Sequence, residues 1–288
     1  MRPRRVLRYN PAGLRFGRMP LMAGKKDAGK VAVITGAGSG IGRCLALQMA
    51  ARGAHVAACD LNRDAAEQTA GAIASLGGSA QAEAVDVSDY DAVKAMAASV
   101  IGAHGRIDYL FNNAGMGIGG EARDITIEHW RKVLNVNLNG VIHGIDAVYP
   151  HMVERGGGHI AVVSSLLGKF STPLRSAYCA SKHALHGYFD ALRAEVYDQN
   201  IRITLICPGF VRTEVSLHAL RGDGQEHGRM DDTIEKGMPA EVCARHILNA
   251  LHKRKEEVYI ARYEKIALYL KRFAPGLFST LIRKAKVA

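Results

Sequence analysis

The chain lacks any apolar run of the ~18 residues that a membrane-spanning helix needs. The expectation is a soluble, cytoplasmic protein, or one that at most rests on a membrane surface. Cysteine is scarce. Cys44, Cys59, Cys179, Cys207 and Cys243 are odd in number and scattered through mostly apolar surroundings, so they read as reduced core thiols without disulfide or zinc spacing. The 12 histidines form neither an HExxH nor a paired cluster, and no metal is expected. Residues 1–30 contain no serine and one acid against nine Lys and Arg, with Pro3, Pro11 and Pro20 among them. Such a segment should be disordered, and its prolines and missing serines speak against a mitochondrial presequence.

The formal charge of +11 invites a nucleic-acid reading, but the charge lies at the ends. Residues 1–30 and 253–288 hold nine and ten Lys and Arg, leaving 19 bases against 23 acids between them. The body is mildly acidic, so no nucleic-acid partner is expected. Three parts follow: a basic segment over 1–28, one domain over 29–262 and an extension over 263–288.

Within the domain, strand-like and helical patterns alternate. Val31 to Thr35 is a β-branched run suited to a strand buried on both faces. It leads into Gly36-Ala37-Gly38-Ser39-Gly40-Ile41-Gly42, with helix-prone residues from Cys44 to Ala51. Glycines there let backbone amides approach a pyrophosphate at a helix's positive end; a tight turn with no ligand would carry them too. The spacing is Gly36-xxx-Gly40-x-Gly42 rather than GxGxxG. A second strand from His55 to Cys59 ends in Asp60, a carboxylate placed to accept from ribose hydroxyls and to repel a 2′-phosphate. That favours NAD over NADP.

Helix from Asp64 to Leu76, strand from Ala80 to Val85, then helix capped by Ser88 and running to Ala103 continue the alternation. A fourth strand from Ile107 to Phe111 closes on Asn112-Asn113-Ala114-Gly115. A long helix from Ile127 to Glu154 carries Asn135 and Asn137, which disfavour helix and point to a kink or a polar role. A fifth strand from His159 ends at Ser164-Ser165, and thirteen residues later come Tyr178 and Lys182, one helical turn apart. That helix runs on to Asp198, and Arg202 to Cys207 makes a sixth strand. Residues 212–238 read as a lid, and helix to Leu251 and an edge strand from Val258 to Ala261 follow. The alternation calls for a parallel doubly wound sheet, with ligands off the carboxyl ends of its strands. In the extension, Ile266, Leu270, Phe273, Leu277 and Leu281 make an apolar stripe beside Lys271, Arg272, Arg283 and Lys284. Packing on the protein's own body or a second subunit is the simpler reading, and a membrane surface the sharper one.

The segment from Thr35 to Gly42, Asn112 to Gly115, Asn137, Ser165, Tyr178-xxx-Lys182 and Pro208-Gly209-Phe210-Val211-Arg212-Thr213 occur in the order and spacing of one family. In these motifs, over about residues 30–252, the chain resembles a short-chain dehydrogenase/reductase. The resemblance implies an α/β fold: a single Rossmann-type doubly wound parallel sheet with helices on both faces, plus a C-terminal helical extension. It implies a catalytic set of Asn137, Ser165, Tyr178 and Lys182. Tyr178 would exchange a proton with the substrate oxygen, Lys182 would lower the tyrosine's pKa, Ser165 would hold the substrate oxygen, and Asn137 would position a water. Cofactor contacts would come from Gly36, Ser39, Gly40, Ile41, Gly42, Asp60, Asp86, Val87, Asn113, Ala114, Gly115, Tyr178, Lys182, Pro208, Gly209, Val211 and Thr213. The implied reaction is hydride transfer between NAD(H) and a hydrophobic alcohol or ketone in a homodimer or homotetramer. A non-catalytic NAD-binding scaffold, an NADP-using membrane-peripheral reductase, and a lyase or epimerase are the alternatives.

Overall fold

Alternating side chains along the strands decide the layers. In β1 (Val31–Thr35), Val31 and Val33 face one way and Ala32 and Ile34 the other, and every residue of the strand is buried. A strand apolar on both faces must be covered twice, and parallel crossovers bring helices to both sides. The computed structural model describes residues 26–214, 219–221, 225, 228 and 232–285.

In chain order, α1 (Gly40–Ala51), β2 (His55–Asp60), α2 (Arg63–Ser75), β3 (Ser79–Ala84), α3 (Tyr90–His104) and β4 (Tyr109–Asn112) form the first half. The short β5 (Ile118–Gly119), α4 (Ile127–Leu134), α5 (Gly140–Glu154), β6 (Gly158–Val163), α6 (Ser176–Glu195) and β7 (Ile201–Pro208) follow. Then come β8 (Val211–Arg212), β9 (Leu220–Arg221), α7 (Asp232–Glu235), β10 (Met238–Pro239), α8 (Ala240–His252), β11 (Glu257–Ile260), α9 (Lys265–Phe273) and α10 (Pro275–Ile282). Seven strands make one sheet in the order β11-β7-β6-β4-β1-β2-β3, parallel at every pairing.

Met96 and Val100 of α3, Ile145 and Val148 of α5, and Leu185 and Phe189 of α6 cover the Val33 face. Leu45 and Met49 of α1, Ile73 of α2, and Ile247 and Leu251 of α8 cover the Ile34 face. At the amino ends of the strands, Asp108 takes the Val31 N–H (2.9 Å) and the Lys30 ammonium (3.0 Å), and its pKa stays depressed despite burial. The carboxyl ends are left to the loops that carry the motifs.

Four local expectations change. The first helix begins at Gly40, so its glycines belong to its first turn. Asp89, not Ser88, caps α3: its Oδ1 accepts the Asp91 and Ala92 N–H groups, whereas the Ser88 hydroxyl donates to Asp86 (2.7 Å). The Ile127–Glu154 helix is interrupted by a π-helical turn, Asn135–Asn139, at the asparagines. The helix bearing Tyr178 stops at Glu195, and a 3-10 turn covers Tyr197–Gln199. Much of the expected lid over 212–238 lies outside the described residues.

The extension is helical, and its apolar residues divide between an inward and an outward face. Leu270 and Ile282 turn toward Phe278, which is buried edge-on against Phe170 with ring centroids 5.9 Å apart. The rest of the stripe points outward: Ile266 is 67%, Phe273 79%, Leu277 54% and Leu281 51% exposed. Packing on the body therefore accounts for Leu270 but not for its neighbours in the stripe.

Candidate active site

The glycine turn is held by close approach. Gly36 and Gly40 take φ of +63° and +50°, in the left-handed region that favours glycine. A Cβ on Gly42 would lie 2.0 Å from the Gly36 carbonyl oxygen, and one on Gly38 2.8 Å from Asp60 Oδ2. Ser39 precedes α1 in extended conformation without a side-chain cap bond, and the first turn holds no acid. The amino end of α1 thus keeps its N–H groups and positive dipole for an incoming anion. Ile41 packs beside the core beneath it.

Asp60, at the end of β2, accepts the Gly38 N–H on Oδ2 (2.8 Å) and the Asn62 N–H on Oδ1 (2.9 Å). Its negative charge is thereby fixed at the rim of the glycine turn. On the other side, Asn113 donates from Nδ2 to the Thr35 and Gly36 carbonyls (2.9 and 3.2 Å). Thr35 Oγ1 in turn accepts the N–H groups of Asn113 and Ala114, both at 3.0 Å. This clamp on Thr35 is a contribution that sequence reading misses. Its signal was a hydroxyl residue as the last position of a buried strand.

Further along the rim, Asp86 accepts the Ser88 N–H (2.8 Å), and the Val87 carbonyl is bound by His143 Nδ1 (2.9 Å). After β7, the Gly209 N–H reaches the Ile260 carbonyl (3.0 Å), and a Cβ there would meet Glu264 at 2.8 Å. Pro208 ends β7, Val211 is buried in β8, and the Thr213 methyl lies close to Gly40. The expected cofactor contacts other than Tyr178 and Lys182 of α6 therefore lie at the carboxyl ends of the strands, on the loops that follow them or in the first turn of α1. The glycine turn, its close approaches and the open α1 terminus fit a dinucleotide.

The reactive groups gather next to this rim. Tyr178 lies in the first turn of α6, and Lys182 one turn later is buried, with Nζ donating to the Val163 carbonyl (2.9 Å) and lying 5.8 Å from the Tyr178 ring. Burial pushes the Lys182 ammonium down to about 8. Burial pushes Tyr178 up, while a hydrogen bond with Ser165 and the charge of Arg175 draw it back. The groups that pull it down are Ser165 and Arg175, and on balance it stays above the ordinary phenol value. Arg175, just before α6, had no motif to announce it. Ser165 Oγ also accepts the Leu167 N–H (3.1 Å), which fixes its rotamer.

Asn137 sits fully buried in the π turn. Its Oδ1 accepts the Met116 N–H (2.8 Å), and its Nδ2 donates to the Met116 carbonyl (2.9 Å) and Ser181 Oγ (3.1 Å). The side chain is committed to tying the β4–β5 loop to α6. A Cβ on Gly115 would lie 3.2 Å from Asn137 Oδ1 and 3.5 Å from Lys182 Nζ, so loop, π turn and helix converge beside the lysine.

This geometry can move a proton at the Tyr178 oxygen while a dinucleotide lies along the strand ends. The family model described as short chain dehydrogenase matches residues 30–222. The mouse protein called dehydrogenase/reductase SDR family member 7B is 38% identical over 256 residues, covering 86% of this chain and 78% of its own length. A Drosophila melanogaster dehydrogenase/reductase SDR family protein 7-like is 34% identical, covering 90% and 81%. Among solved structures, a Burkholderia phymatum short chain dehydrogenase/reductase in complex with NAD superposes with a TM-score of 0.78 at 29% identity, over 88% of this chain and 96% of that one. A 3-ketoacyl-ACP reductase from Sinorhizobium meliloti gives 0.71 at 31%, over 80% and 97%. The chain belongs to the short-chain dehydrogenase/reductase family of oxidoreductases.

Proposed function

We propose that the chain transfers a hydride between NAD(H) and the oxygen-bearing carbon of a hydrophobic secondary alcohol or ketone of steroid-, retinoid- or long-chain-like character. The observation that carries this reading is the convergence of Ser165, Tyr178 and Lys182. A half-buried phenol, hydrogen-bonded to a serine and one helical turn from a buried ammonium, is built to exchange a proton with a substrate oxygen. The bound dinucleotide supplies or accepts the hydride. Ser165 orients the substrate oxygen and stabilises the charge that develops on it. Ser165 and Arg175 favour the phenolate, and Lys182 sets its Nζ 5.8 Å from the phenol ring. Asn137 holds the loop beside Lys182, where a water can link the lysine to solvent.

Asp60 supports NAD as the cofactor, because its fixed carboxylate stands where the 2′-phosphate of NADP would have to be accommodated. The outward apolar residues of α9 and α10, with Lys271, Arg272, Arg283 and Lys284 around them, support a greasy substrate met at a membrane surface. No helix among the described residues is long and apolar enough to cross a membrane. Likeness to the Sinorhizobium meliloti reductase favours ketone reduction as the second reading of direction. Assembly into dimers or tetramers would use the surfaces of α4 to α6.

The test is an NADH-absorbance screen of primary, secondary, steroidal and long-chain alcohols. With the best substrate, Tyr178→Phe should lower kcat/KM by about 10³-fold, within the usual range for a positioned acid/base, and leave NADH affinity within a few-fold. Retained turnover would remove the tyrosine from the mechanism.

A further inference from the structure

One turn after Lys182, α6 carries His186, buried at 6% exposure. Four other segments meet it. Its Nε2 lies 3.1 Å from Ser164 Oγ, at the end of β6, and 3.8 Å from Cys207 Sγ, in β7. Its Nδ1 lies 3.8 Å from Glu257 Oε1, the first residue of β11, and Cys207 Sγ is 3.6 Å from that same oxygen. Lys169 Nζ pairs with Glu257 Oε1 at 3.0 Å, and Tyr259 also hydrogen-bonds the Glu257 carboxylate. One ligating atom each from His186, Cys207 and Glu257 lie within 4.8 Å of one another.

Following the protons shows what is missing. With the Ser164 hydroxyl donating to the Lys182 carbonyl (3.3 Å), its oxygen accepts from His186, and in that arrangement Nε2 carries the ring proton. Nδ1 therefore presents a lone pair, and it finds no hydrogen-bond partner among the described residues. It faces a carboxylate oxygen, also a lone pair, at a separation too long for a shared proton. The buried Nδ1 is thus left unmet beside a part-exposed carboxylate oxygen, and a cation placed between them would satisfy both. The Lys169 ammonium satisfies the carboxylate alone.

We propose that His186, Cys207 and Glu257 form a binding site for a divalent cation of the zinc class, with Lys169 as the displaceable ion that holds the carboxylate otherwise. Nitrogen, sulfur and oxygen from three side chains are a donor set that zinc takes, with a fourth position left open. Zinc–sulfur and zinc–nitrogen bonds of about 2.3 and 2.0–2.1 Å set tetrahedral ligand atoms about 3.5 Å apart. Here Glu257 Oε1 lies 3.6 Å from Cys207 Sγ and 3.8 Å from His186 Nδ1, and one donor atom from each of the three residues falls within 4.8 Å of the others. Charge also balances. The site now holds an ammonium and a carboxylate; with metal it would hold a dication, a carboxylate and a thiolate, the thiol proton and the ammonium passing to solvent. The Lys169 and Glu257 side chains are each about a quarter exposed, which leaves an entry path. The metal would join α6, β7 and β11 behind the catalytic lysine. Gly168 closes over the site: a Cβ there would lie 2.8 Å from His186 Nε2.

The test needs neither substrate nor dinucleotide, so its failure would leave the hydride-transfer reading untouched. Full-length protein stripped with a chelator is titrated with zinc against a chromogenic competitor, and with cobalt(II) followed by absorbance. One metal per chain is expected, with a thiolate-to-cobalt charge-transfer band that Cys207→Ser abolishes. His186→Gln should weaken zinc binding at least tenfold, and Lys169→Met should strengthen it about tenfold. Zinc should raise the unfolding temperature of the native chain and not that of Cys207→Ser. Absence of binding at micromolar free zinc, or affinity unchanged in His186→Gln or Lys169→Met, would overturn the proposal and leave a hydrogen-bonded core network. Lys169 is part-exposed, so its variant keeps the test decisive should Cys207→Ser fail to fold.

Discussion

Asp60 shows how one side chain serves two purposes. It braces the glycine turn through the Gly38 N–H and, under the proposed function, the same carboxylate would repel a 2′-phosphate. Replacing Asp60 with Ala should narrow the ratio of kcat/KM for NAD over NADP by at least tenfold, and an unchanged ratio would place cofactor selection elsewhere. The position was legible in sequence because a carboxylate after a buried apolar run can only sit at a strand tip. Thr35 was not legible in the same way. Its partners Asn113 and Ala114 lie 78 and 79 residues away, and no local pattern records a hydrogen bond closed by the sheet. Distance along the chain likewise hid the His186–Cys207–Glu257 group, whose members belong to three elements.

At the scale of elements, β6 and β7 are joined by more than their ladder. His159 Nε2 meets Thr204 Oγ1 at 2.8 Å, and burial, with Arg202 and Arg254 nearby, pushes the ring down to about 4 from an ordinary 6.5. A depressed histidine favours the fold only while it is neutral. Below pH 6.5 the unfolded chain takes a proton that the folded chain refuses, so stability falls as pH drops toward 4, by up to about 3 kcal/mol from this residue. His159→Gln keeps a polar partner for Thr204 and should flatten the fall in melting temperature across that window. An equally steep fall would assign acid sensitivity to other groups. Helix and strand identities were largely legible because apolar periodicity survives in every core element. The α3 cap was displaced by one residue because Asp86 captures the Ser88 hydroxyl, a competition that caps and turns share.

For the molecule as a whole, the basic and apolar ends matter more than the mildly acidic body. The outward faces of α9 and α10 place Ile266, Phe273, Leu277 and Leu281 in solvent beside cationic residues. Sedimentation with phosphatidylserine-containing vesicles should capture the protein and weaken at high salt, and Phe273→Ser with Leu277→Ser should abolish capture. Equal capture by neutral vesicles, or a dimer that those substitutions dissolve, would make the patch something other than an anionic-membrane contact. Sequence could locate the stripe but not aim it, because α9 is apolar on two sides: Leu268 and Leu270 would serve a core as well as Ile266 and Tyr269.

The clamp of Thr35 and Asn113 on the glycine turn has a thermodynamic corollary. The end of β1 and the first residue of the loop that would receive the pyrophosphate are already pinned to Asn113 and Ala114 by four hydrogen bonds of 2.9 to 3.2 Å, three at Thr35 and one at Gly36. The entropy lost in ordering that loop is therefore charged to folding and not to association. A dinucleotide then meets a receptor of fixed shape, and its affinity reflects contacts made rather than backbone rearranged.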